Sequence, residues 1–143
     1  MLKVAVDTSV IISGAISPSG TSGKIVEKGI QQEFALVTSE EINSEIIEVL
    51  YREAIFIKYR IPSGRLEEIR NWIYEKSLLV AGLYQVQMIL EDPDDDKYLA
   101  CALEGKSDYI VSEDRHLRDL KHYHCIQIVN ARRFADILEK NHS

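Results

Sequence analysis

The sequence predicts an α/β domain built on a parallel sheet with helices on both faces, and three observations carry that prediction. Short β-branched runs alternate with helix-like segments from one end of the chain to the other, the pattern of strand–helix–strand units. The connections are turn-sized, with no internal repeat and no low-complexity linker. At 143 residues, 45% of them hydrophobic and 28% charged, the chain has the length and make-up of one globular domain, residues 1–143, with a core that needs no staples.

The elements follow in order. Residues 2–7 (LKVAVD) read as a short strand with β-branched Val4 and Val6, followed by a polar DTS turn. The turn formers SPSGTSG at 17–23 lead into a helix over about 23–32, with Thr21 or Ser22 as its cap. Phe34 to Thr38 is a second strand. Ser39 caps a strong helix in which Ile42, Ile46, Val49 and Leu50 recur at helical spacing. IPSG at 61–64 is a break, and Ser63 opens a helix through about Ser77 with Leu66, Ile69, Trp72 and Ile73 as its apolar stripe. Tyr84 to Leu90 reads as extended, EDPDDDK as a turn, and YLACALEG as a helix of small residues. Asp108 to Ser112 and Ile126 to Val129 are strands, and Asn130 caps a closing helix, ARRFADILEK.

Composition narrows the function classes. No apolar run approaches a membrane span, and Asp7 interrupts the apolar N-terminal stretch that a signal peptide would need, so the cytoplasm is the expected compartment. Cys101 and Cys125 have no metal-ligand spacing and read as small reduced hydrophobes. The net charge of −6, from 23 acids against 17 bases, runs against a general nucleic-acid binder, which carries a basic surplus. It runs against one less strongly if acids gather at a metal site.

The placement of the acids points that way. In open parallel sheets ligands bind beyond the carboxyl ends of the strands. Asp7 ends its strand, Asp114 lies just past another in YIVSED, and the DPDDD cluster stands at the head of the helix before that strand. Glu41, Glu45 and Glu48 form an acidic stripe bordering the apolar face of their helix. Each has a plainer reading: Asp92, Asp94, Asp95 and Asp96 as turn acids favourable to a helix dipole, the glutamates as a solvated face, and Asp114 as a cap. Asp7 is hardest to explain that way, because a buried carboxylate costs several kcal/mol without a partner. Converging carboxylates with hard oxygen donors suit Mg²⁺ or Mn²⁺, and such an ion is the expected partner of Asp7.

Four stretches together resemble a PIN-domain protein: VDTSVIISGAISPSG, FALVTSEEINSEIIEVL, DPDDDKYLACALEGKSDYIVSEDRHL and the closing helix. The resemblance covers nearly the whole chain and is nearest to the prokaryotic toxin components of toxin–antitoxin systems, related to VapC-like ribonucleases. It implies a three-layer α/β/α sandwich with a mainly parallel central sheet, an acidic pocket for Mg²⁺ or Mn²⁺, and hydrolysis of RNA phosphodiester bonds. By position it implies Asp7, Asp95 and Asp114 as metal ligands and Glu45 as a fourth acid, either a ligand or the group that orients the attacking water. Asp92 is then an outer acid, and Asp96 the position freest to vary. A homodimer and a small inhibitory antitoxin are the partners it implies beside RNA. Three positions depart from the family pattern: Ser9 where Asn is frequent, Ser112 where Thr is usual, and His116 where many relatives carry another Asp. The last weakens the expectation of a second metal ion.

Such chemistry asks carboxylate-held metal to activate water and clamp the phosphate, with no Ser or Cys nucleophile. Lys24, Arg52, Arg115 and Arg118 are the candidate cations to steer RNA towards a negative pocket. A strand-end Asp also starts a HAD-type phosphatase, but that needs a second Asp where Ser9 stands. A receiver-like signalling domain needs an acid order this chain lacks. The remaining rival is a PIN scaffold that binds RNA or a protein without cleaving.

Overall fold

The computed structural model describes residues 1–52, 57–86 and 95–141. Among them, six strands form one sheet: β1 (Lys3–Val6), β2 (Ala35–Ser39), β3 (Leu78–Val80), β4 (Tyr109–Val111), β5 (His122–Tyr123) and β6 (Ile126–Val129). Their order is β3-β2-β1-β4-β6-β5, and every pairing is parallel except the β5–β6 hairpin. Helices cover the sheet in an α/β/α arrangement, as the alternation of elements predicts. The chain runs from β1 outward to β2 on one side and returns later to place β4 on the other. The crevice beyond the carboxyl ends of β1 and β4 is therefore a topological switch point.

The first helix, α1 (Thr8–Ile16), begins where the sequence suggested only a turn. Asp7 makes the difference by capping it: one carboxylate oxygen accepts the Ser9 N–H at 3.1 Å, and the Asp7 carbonyl accepts from Val10 at 3.0 Å. The β-branched run at 10–12, a weak helix former by itself, is carried by burial of Val10 and Ile11. Close approach to α2 (Thr21–Ile30) depends on Gly14, where an added Cβ would stand 2.6 Å from Val26 Cγ2 and 2.7 Å from the Ser22 carbonyl. The cap of α2 is Gly20 without a side-chain bond, so Thr21 and Ser22 lie inside the first turn and do not cap it.

Ser39 caps α3 (Glu40–Leu50) as expected, its hydroxyl accepting the Ile42 N–H at 3.3 Å. The helix α4 (Ser63–Asn71) continues as a wider π-helical turn over Trp72–Lys76, which buries Trp72 and Ile73 together. Asn43, fully buried, is satisfied there: it accepts from the Thr38 hydroxyl at 2.8 Å and donates to the Ile73 carbonyl at 2.9 Å. Phe34 packs edge-on against both Trp72 and Phe134 in the core. Residues 84–86 of the segment expected to be extended have no regular structure, and 87–90 lie outside the described residues.

The small-residue helix is α5 (Asp96–Glu104), which crosses β1, β2 and β4. A short helix, α6 (Arg115–Leu120), follows β4, and α7 (Ala131–Asn141) closes the described chain with Asn130 accepting the Arg133 N–H at 2.8 Å. Cys101 is buried in α5, and burial, with Glu104 nearby, pushes its thiol up to about 12. Cys125 departs from its reading: it sits exposed in the β5–β6 turn, beside His124 at a φ of 54°. Among the described residues no helix is long and apolar enough to cross a membrane.

Candidate active site

Asp7, Glu45, Asp95 and Asp114 open onto one cleft of about 690 Å³ at the switch point, so the four sequence-predicted acids are brought together. Thr8, Lys97, Tyr98 and Glu113 are among the other residues lining it. Asp92 lies outside the described residues. Asp96 turns away to a neighbouring cleft with Glu41 and Glu104, one helical step of about 100° from Asp95. Of the other two glutamates in the acidic stripe, Glu41 faces that second cleft and Glu48 pairs with Arg52 in solvent.

Asp7 is 7% exposed, and its compensation is in the protein. Oδ2 accepts the Ser112 hydroxyl at 2.7 Å, Oδ1 accepts the Ser9 N–H, and the carboxylate sits at the positive end of α1. Where the sequence led to a metal ion as the partner of Asp7, the protein itself supplies charge-assisted hydrogen bonds and a helix N-terminus. Ser112 also ties Asp7 to the second strand-end acid, because its Oγ accepts the Asp114 N–H at 2.9 Å. Asp114 caps α6, with one oxygen accepting from the N–H groups of His116 at 2.8 Å and Leu117 at 3.4 Å. Its reading as a cap is thus met, and capping leaves it lining the cleft beside Asp7.

Glu45 reaches the cleft from the middle of α3. Its Oε2 accepts from the Thr8 hydroxyl at 3.1 Å, stands 3.3 Å from the Tyr98 hydroxyl, and lies 2.7 Å from Lys97 Nζ. Tyr98 in turn donates to Thr8 Oγ1 at 2.8 Å and accepts the Thr8 N–H at 3.2 Å. The result is a relay, Tyr98 to Thr8 to Glu45, that fixes one carboxylate oxygen. Burial first, then the Asp7 charge, and more weakly that of Glu45, hold the Tyr98 phenol above its ordinary range despite the Thr8 hydrogen bonds, so it stays a donor.

Sequence reasoning missed Thr8, Lys97 and Tyr98. Thr8 sat in a stretch read as a turn. Lys97 and Tyr98 follow the Asp cluster directly, and their place in the first turn of α5 was the one signal available. Lys97 is the one cation among the described residues that line the cleft. Lys24, Arg52, Arg115 and Arg118 are not among them, and Arg52 is paired with Glu48 at 3.2 Å. Glu113 is committed elsewhere, accepting the Ala131 N–H at the start of α7 at 2.8 Å.

A family model described as a PIN domain matches residues 3–116, a span that holds all four acids. The chain belongs to the PIN-domain family. No curated protein matches it. PIN domains are generally nucleases and usually use divalent metals, which assigns this PIN domain to a nuclease-type, hydrolase fold. Its donor set fits such an ion in kind, being all carboxylate and hydroxyl oxygen. As positioned, however, no three Asp, Glu, His or Cys among the described residues are grouped so as to hold one. One oxygen of Glu45 is paired with Lys97, and one of Asp7 with the Ser112 hydroxyl.

Proposed function

We propose that this PIN domain is a Mg²⁺- or Mn²⁺-dependent endoribonuclease, the toxin of a toxin–antitoxin pair, acting as a homodimer in the cytoplasm. The observation that carries the nuclease reading is the convergence of Asp7, Glu45, Asp95 and Asp114 on one cleft beyond β1 and β4. The toxin role, the antitoxin partner and the dimer rest on the family resemblance of the whole chain.

Asp7, Asp95 and Asp114 would hold the ion, which when bound lowers the pKa of water and neutralises charge on the phosphoryl oxygens. The chain's own residues supply position. Ser112 holds the Asp7 and Asp114 ends of two neighbouring strands in a fixed relation. Thr8 and Tyr98 aim Glu45, the fourth acid, which would either share the ion or orient the attacking water. The acids at helix N-termini are kept in place by backbone donors that do not depend on metal.

Incubating a mixed-sequence single-stranded RNA with the purified protein in Mg²⁺, Mn²⁺ or EDTA tests this. Cleavage inside the strand with either metal and none in EDTA is the expected result. The Lys97–Glu45 pair and the ungrouped acids favour one rival, a PIN scaffold that binds RNA or a protein without cutting. Binding without cleavage in every buffer would establish that rival. Arrest of growth on induced expression, absent for Asp114→Asn, tests the toxin role, and light scattering tests the dimer.

A further inference from the structure

The cleft holds Asp7, Glu45, Asp95, Glu113 and Asp114 against a single described cation, Lys97. Its amine makes a 2.7 Å ion pair with Glu45 Oε2 and lies 5.4 Å from the centre of the Tyr98 ring. The Lys97 side chain is 16% exposed and that of Glu45 38%. Lys97 also lines the second acid-bearing cleft, with Glu41, Asp96 and Glu104, so it stands on the ridge between the two.

We propose that Lys97 is an exchangeable cation: it neutralises Glu45 in the metal-free protein and moves to a phosphate of bound RNA once Glu45 is shared with a divalent ion. The inference rests on the nuclease reading above. Three features support exchange over a permanent bridge. Glu45 keeps its aim without Lys97, because Thr8, itself held by Tyr98, still donates to Oε2. The pair is only partly buried, with the Glu45 side chain 38% exposed, so water can take up the carboxylate when the pair opens. A polyanion crossing the ridge between two acidic clefts meets no other described lining cation, and a lysine on a flexible four-carbon stem can turn to it.

The test compares wild type with Lys97→Met, with Lys97→Gln as a second neutral variant and Lys97→Arg as the conservative one. Calorimetric titration with MnCl₂, without RNA, is expected to show Mn²⁺ binding about fivefold tighter in the neutral variants, since their competitor for Glu45 is gone. Anisotropy of a labelled single-stranded RNA in Ca²⁺, with the strand checked intact on a gel, gives affinity against salt. The slope of log K on log salt is expected to shrink by about 0.7 in the neutral variants and to be kept by Lys97→Arg, as for one lost phosphate contact. Unchanged or weaker Mn²⁺ binding overturns the competition with metal, and an unchanged slope overturns the phosphate contact. If wild type cleaves RNA and the neutral variants behave like it, this inference alone falls. If wild type neither binds Mn²⁺ nor cleaves RNA, the nuclease reading falls and takes this one with it.

Discussion

Ser112 joins chemistry to stability at the scale of single atoms. Its hydroxyl donates to Asp7 and accepts from the Asp114 backbone, so one small side chain couples two acids 107 positions apart in the chain. Asp7→Asn and Asp114→Asn are expected to keep the fold, because asparagine caps a helix about as well as aspartate. Each is expected to slow metal-dependent RNA cleavage by about a hundredfold or more, roughly 2.7 kcal/mol of transition-state stabilisation. Wild-type turnover in either variant, with carry-over nuclease excluded, would remove that acid from the site. Stability behaves differently. If only mutual repulsion acted on Asp7, Asp7→Asn would melt as high as wild type in EDTA. The Ser112 bond reverses that expectation, since an amide matches one donor where the carboxylate matched two. Ser112→Ala and Asp7→Asn are therefore expected to lose about 1–3 kcal/mol each in EDTA. Urea melts that place both at or above wild type would show that the bond contributes nothing.

At the scale of elements, the deciding feature is where α5 begins. Asp95 and Asp96 are neighbours in sequence but face different clefts, so helical registry sends one towards Asp7, Glu45 and Asp114 and the other away from them. Asp95→Asn is expected to be far more damaging to cleavage than Asp96→Asn, and side-by-side assays check it. A dead Asp96 variant beside an active Asp95 variant would shift the site by one residue. The choice of Asp95 over Asp96 came from the family resemblance, while the helix after the DPDDD run was legible in its residue pattern. Longer elements with a clear period, such as α3 with its Ser39 cap, were legible for the same reason. What escaped was short or locally atypical. β3 and β5 have three and two residues, too few to show an alternation. α1 carries a β-branched run that favours strands, and only its tertiary burial and the Asp7 cap decide for helix. The six residues of α6 are too few to show a helical period, although Asp114 reads as a cap. Within the site, the carboxylates stood out as misplaced charges, whereas Thr8 and Tyr98 are types that a core or a turn absorbs without comment.

For the whole molecule, two buried acids of another kind set a limit to stability in alkali. Cys101 and Tyr98 are each 3% exposed, and burial is the first cause that raises both above their ordinary values. A thiol ionises near pH 8.5 in an unfolded chain, against about 12 for Cys101 in the folded one. A group whose pKa is higher in the folded state contributes stability in full below its unfolded pKa. That contribution is lost as pH rises through the interval, because the unfolded chain releases the proton first. Stability is thus expected to be level through neutral pH and to fall from about pH 8.5 upward. Cys101 alone should cost roughly 3 kcal/mol by pH 10.5, with Tyr98 adding to the slope above pH 10. Cys125 is exposed and provides the internal control. Urea denaturation from pH 7 to pH 10.5 on wild type, Cys101→Ala and Cys125→Ser is the measurement. Cys101→Ala should lower stability at neutral pH through its lost packing, yet decline less steeply in alkali, while Cys125→Ser should run parallel to wild type. A Cys101→Ala curve parallel to wild type would mean that the thiol ionises in the folded protein as readily as in the unfolded chain. Its place beneath the sheet would then be open to solvent.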